Sequence, residues 1–128
     1  MSWISLLLLV KIVVTLVLVA IPFLFVSKEK LEIIVNIKAN SPQFFRLYGV
    51  AIFALLVGYS FGIPLAESGV FPWGVVSMGV VSNGGAAFIL VSAGLNSKNR
   101  VLALFFLFIT LGLVLSILFS QLAVQKAW

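Results

Sequence analysis

Four stretches of this chain, Trp3 to Val26, Phe44 to Leu65, Pro72 to Ala93 and Val101 to Val124, run almost without charge, interrupted only by Lys11 and Arg46. An α-helix rises about 1.5 Å per residue, so each stretch is long enough to cross a hydrocarbon layer of roughly 30 Å. A transmembrane barrel would instead show alternating strands of about ten residues, and these runs do not alternate. The expectation is an all-α integral membrane four-helix bundle, a single transmembrane domain over residues 1–128. Composition agrees: 9% charged residues and 63% apolar ones leave no material for an aqueous domain, since soluble domains carry about 25% charge.

The connections set the expected order of crossings. The segment 27–42, SKEKLEIIVNIKANSP, is the one substantial polar loop and ends in the helix-start pair Ser41-Pro42. Within it LEIIVNIKA is apolar but short, and reads as an interfacial strip, either a helical turn or extended. The other two connections, AESGVFP and GLNSKNR, are brief, so consecutive helices should be antiparallel neighbours in an up-down arrangement. Lys28, Lys30, Lys38 and Arg46 flank the first loop, and Lys98 and Arg100 the third. Against these six, the other side holds Lys126, the terminal amine and, if its stem reaches, Lys11. The basic side is expected to be cytoplasmic, with both termini on the non-cytoplasmic side of a bacterial inner membrane. The basic residues, with Tyr48, are read as interface and lipid anchors, and nucleic-acid binding is not implied. The first run lacks a basic region ahead of it and is read as a helix of the protein, not a secretory signal.

Chemistry is sparse. The chain has no histidine or cysteine, and its acids are Glu29, Glu32 and Glu67. No cofactor or metal is expected from such a set, and no nucleophile stands beside a base in any recognisable motif. The chain is therefore not expected to be an enzyme. Its size and four-run outline are similar to those of the small multidrug-resistance transporters, but their essential glutamate lies in the first helix, where this chain has Lys11, and no family is assigned.

What remains is a packing pattern and three isolated polar groups. Gly58 and Gly62 form a GxxxG pair, Gly112, Ser116 and Ser120 follow one another at intervals of four, and Gly79, Ser82 and Ala86 share a face that Gly84 and Gly85 widen. In lipid such small faces admit close approach of helices, and they nominate the third run as the centre of the bundle. Asn83 lies near the middle of that run and must face protein, water or a ligand. Its expected partner is Ser116, Thr110 or Tyr59; the alternative is a helix opened at Gly84-Gly85 around an ion or substrate. Lys11 is expected to snorkel to the nearer interface, and Glu67 to be a solvated turn residue with a possible coupling role near an entrance. Together these suggest a structural, accessory or assembly subunit of a larger membrane complex, partnered by membrane lipids and by other subunits or its own copies. The competing expectation is a small homo-oligomeric transporter or channel with Asn83, Lys11 and Glu67 on its path.

Overall fold

The structure, a computed structural model, describes residues 1–35, 38–95 and 99–128. It is all-helical among the described residues apart from one isolated bridge between Ser2 and Lys126. Four helices are long and apolar enough to cross a membrane: α1 (Trp3–Phe25), α3 (Pro42–Glu67), α4 (Trp73–Ser92) and α5 (Arg100–Leu118). Two short helices complete the set among the described residues, α2 (Lys28–Val35) and α6 (Ser120–Ala123). In hydrocarbon every backbone polar group must find its partner inside the segment, which is why runs of this length settle as continuous helices.

The ends of the helices follow local chemistry. Ser41 Oγ accepts from the Gln43 amide at 3.2 Å, with Pro42 in the first turn where its missing N–H costs nothing. Ser2 caps α1 in the same way through the Ser5 amide. Beyond α3 the chain turns at Gly69, whose φ of +83° is one that residues with a side chain rarely adopt. The interfacial strip is helical over Lys28–Val35, with Leu31 and Val35 turned into the protein.

Two departures from simple helices matter. In α1 the turn Leu16–Ala20 is π-helical, so that Ile21 N–H reaches back to the Leu16 carbonyl immediately before Pro22. π-turns of this kind concentrate at functional places in helices. The fourth run is broken at Phe119, so Ser120 opens a separate short helix and leaves the row of Gly112 and Ser116.

The bundle has two cores. Near the chain termini, Ile4, Leu8, Leu56, Tyr59, Val76, Ile109 and Leu113 interlock; near the first loop, Val19, Phe23, Leu31, Phe45, Leu90 and Phe106 do so. The most enclosed of the long helices is α1, 39% buried over its apolar window against 22% for α4. The third run is thus not the centre of the bundle: the interior is organised around the first, which packs on α3 and α5. At the terminal end Trp3 N–H bonds to the Gln125 carbonyl and Ala127 N–H to that of Met1, closing the two chain ends together.

Candidate functional site

Between the two cores lies the polar centre of the molecule. Lys11 and Thr15, four residues apart and hence on one face of α1, meet Tyr59 of α3, Ser82 and Asn83 of α4, and Phe106 of α5 around a chamber of about 20 Å³. Asn83 is 1% exposed. Its Nδ2 donates to the Gly79 carbonyl at 2.7 Å and to the Tyr59 hydroxyl at 3.0 Å. Tyr59 Oη and Ser82 Oγ are 2.8 Å apart, and Ser82 Oγ also approaches the Gly79 carbonyl at 3.4 Å. With Tyr59 accepting from Asn83, its own proton is free to go to Ser82 and that of Ser82 to Gly79, so the four groups close a ring in which both branches start at the Asn83 amide and end on the Gly79 carbonyl. The Gly79 carbonyl fixes the orientation of the amide, because a flipped Asn83 would set oxygen against oxygen.

The ring leaves Asn83 Oδ1 buried without a partner, and Thr15 Oγ1 likewise. Lys11 is 4% exposed and has no ion pair or hydrogen bond among the described residues. Its Nζ stands 5.0, 5.6 and 5.7 Å from the ring centres of Phe106, Phe105 and Tyr59. Aromatic faces attract a cation, by about 2 kcal/mol when desolvated, which falls short of what burial of a charge costs. Lys11 therefore does not snorkel to the interface. The rotation of α1 carries its stem into the bundle.

A larger space adjoins the chamber. A cleft of about 840 Å³ separates α3 from α4 over the half of the bundle nearer the first loop. The two spaces share Tyr48, Ile52, Leu55, Ser82, Ala86 and Phe106 as walls. Phe23 and Val19 of α1 and Leu102 of α5 line it further in, and Lys38, Ala39 and Asn40 border one end. It is open sideways, where Phe44, Tyr48, Gly85 and Ile89 are exposed.

The remaining polar residues distribute away from this centre. Glu67 accepts from the Ser2 amide at 2.8 Å and lies 3.9 Å from the terminal amine, so it ties the start of α1 to the end of α3. Arg46 Nη1 donates to the Phe23 carbonyl at 2.8 Å and so occupies one of the free carbonyls at the end of α1. Tyr48 stacks on Phe23 with ring centres 5.0 Å apart. Lys28 pairs with Glu32 at 2.8 Å, while Lys30, Lys38 and Arg100 are exposed; Lys98 lies outside the described residues. The hydrogen-bonded Glu32 carboxylate raises the Lys28 pKa, and Lys28 together with the Ala39 N–H holds Glu32 below its usual value.

The small residues divide sharply. A methyl group at Gly79 would come within 2.6 Å of Leu113 Cδ1 and 3.1 Å of Tyr59, and one at Gly62 within 2.9 Å of Leu8 and 3.0 Å of Val75. Gly112 faces Leu7, and Gly58 and Gly84 make ordinary contact with Met78 and Thr110. Gly85 meets nothing within 4 Å, because it forms the open wall of the cleft. Ala86 is half-buried between cleft and chamber. Ser116 is buried but donates to the Leu113 carbonyl, and Thr110 to that of Phe106, so neither serves Asn83. No helix opens at Gly84-Gly85, since α4 is unbroken from Trp73 to Ser92. Thr15, Phe105 and Phe106 were not marked by sequence; the four-residue spacing of Lys11 and Thr15 was the available signal.

Four apolar helices around a buried polar cluster define a small α-helical membrane protein. No family model, curated protein or solved structure matches the chain.

Proposed function

We propose that this chain is an accessory or assembly subunit of a larger membrane complex, acting by packing and not by catalysis. In this reading the helices cross the membrane up and down with both termini on the non-cytoplasmic side. The membrane is a bacterial inner one, and the partners are other membrane subunits or further copies of the chain. The observation that carries it is the Asn83 ring. The amide at mid-membrane spends both its N–H groups on protein, and the space beside it, about 20 Å³, has room for about one water molecule. A conduit for solutes would need a continuous polar path, and Glu67 stands apart from Lys11 and Asn83, beside the first residues of α1. Burial of Lys11 also removes it from the outer basic count and sharpens the charge asymmetry that favours the proposed orientation.

Gentle extraction should bring down a second membrane protein, and the pure chain in liposomes should carry no solute or ion flux. Flux abolished by Asn83→Ala, without any co-purifying chain, would overturn the subunit reading in favour of the transporter. Single cysteines at Ser2 and Lys126 should label from outside and one at Lys30 from the cytoplasm; cytoplasmic labelling of the first two would reverse the orientation.

A further inference from the structure

Lys11 is buried with no ion pair or hydrogen bond among the described residues. An uncompensated buried charge is costly, and the chain holds no acid to answer it. Its three acidic side chains are Glu29, Glu32 and Glu67. Glu32 is engaged by Lys28 and Ala39, Glu67 by the start of α1, and Glu29 stands exposed on α2. An anion that pairs with a charged Lys11 would therefore come from outside the chain.

Three further observations restrict what that anion is. Thr15 Oγ1 and Asn83 Oδ1, both buried and unpaired, border the same chamber as Lys11, so the incoming head group meets one hydroxyl donor besides the ammonium. The chamber, at about 20 Å³, admits one or two oxygen atoms or a water and nothing as bulky as a phosphate ester. The adjoining cleft is about 840 Å³, walled mostly by apolar side chains, with Lys38 and Asn40 at one end, and open to the side between α3 and α4, within the range of sites that enclose a small-molecule ligand. A small anionic tip, a long apolar body and entry from the hydrocarbon phase are the three requirements.

We propose that the cleft binds a single-chain amphiphile with a carboxylate head, a long-chain fatty acid. The carboxylate reaches the chamber, accepting from Lys11 and Thr15, and the hydrocarbon chain lies between α3 and α4 and leaves past Gly85 and Ile89. The site does not depend on the subunit reading, because it is formed by the chain alone and is tested on the chain alone.

The test compares three probes of equal chain length, palmitate, hexadecanol and hexadecyl phosphate, titrated into the purified full-length chain in a non-ionic detergent. Palmitate should saturate at one per chain and bind about tenfold to a hundredfold more tightly than hexadecanol, the range set by one charge-assisted hydrogen bond. Lys11→Met should fold, since it replaces a buried charge by an apolar group of similar length, and should abolish the preference for palmitate over hexadecanol. Gly85→Leu, whose Cβ meets nothing within 4 Å, should keep the preference while weakening both ligands by filling part of the cleft. Equal affinity of the wild-type chain for palmitate and hexadecanol, or a preference that survives Lys11→Met, would overturn the proposal. Tighter binding of hexadecyl phosphate would do the same, and would assign the site to phosphate-bearing lipids. Absence of any saturable binding would leave Lys11 to a carboxylate of a partner chain, and equally reject it.

Discussion

The pair α3 and α4 behaves as two different contacts along its length. Near the chain termini the helices are held at van der Waals distance by glycines: Gly62 lies against Val75 and Leu8, and Gly79 against Tyr59 and Leu113. Towards the first loop the same two helices part, and Phe44 to Leu55 face Ser82 to Leu90 across open space. Both halves are rich in small residues, yet Gly79 is closed upon and Gly85 is bare. The difference teaches that a small residue in a membrane helix permits close approach without compelling it. What closes one half is the interlocking of Leu8, Leu113 and Tyr59, with the Asn83 ring as the last layer; beyond that layer α4 leans on α5 and not on α3.

The contrast is broken most severely by bulk in the closed half. Gly62→Leu should cost about 3 kcal/mol or more, since three further carbons must enter a space where a single methyl already collides; Gly58→Leu should cost less, because Met78 is flexible and only in ordinary contact. Thermal melting in mild detergent reports both. The next effect in size compares like with like: Gly79→Ala should destabilise by about 1–3 kcal/mol through overpacking, whereas Gly85→Ala should be neutral or stabilising by up to about 1 kcal/mol through helix propensity. Equal melting temperatures for these two would erase the distinction between the halves.

A smaller loss is expected where the halves meet. Tyr59→Phe removes the hydroxyl that accepts from Asn83 and contacts Ser82, and should cost about 0.6–2 kcal/mol, the range of interhelical hydrogen bonds in membranes. Hydrogen exchange of α4 around Ser82 should rise with it.

Smallest of all is the tie of α2 outside the membrane. Glu32 has its pKa lowered from 4.5 in the fold, so its contribution is complete above that value and disappears as pH falls through the lower folded pKa. Lys28, raised above 10.5, contributes fully below that value and loses its contribution as pH rises through the higher folded pKa. The pair is therefore intact across the neutral range. Because both groups are solvated, Glu32→Gln should loosen the Lys28–Val35 helix slightly, and 1 M salt should remove most of the difference. Amide exchange at Leu31 and Ala39, followed against pH, checks it.

Much of the fold was legible because the bilayer allows so few answers. The run from Phe44 to Leu65 became Pro42–Glu67, its start fixed by Ser41-Pro42, and the polar residues of the first loop announced themselves by charge. The site was legible only as a set of residue types. Asn83 could be placed at mid-membrane from its position, and Tyr59 was among its expected partners. The direction of Lys11 could not be read, since α1 is apolar on every side and nothing in its periodicity marks the inward face. The π-turn at Leu16–Ala20, which runs directly into Ile21-Pro22, was equally hidden in a run of apolar residues. Gly85 misled for a related reason, because a bare glycine and a packed one are the same letter.

The polar cluster around Asn83, whose chamber shares walls with the cleft between α3 and α4, is expected to be closed to water from both faces of the membrane. The chain is free of cysteine, so a single Ser82→Cys, on the wall shared by chamber and cleft, reports it directly in proteoliposomes. The expected result is no reaction with a membrane-impermeant thiol reagent applied to either face, and ready reaction with a lipid-soluble one. Labelling by the impermeant reagent from either face would reveal an aqueous path to the cluster and contradict this expectation.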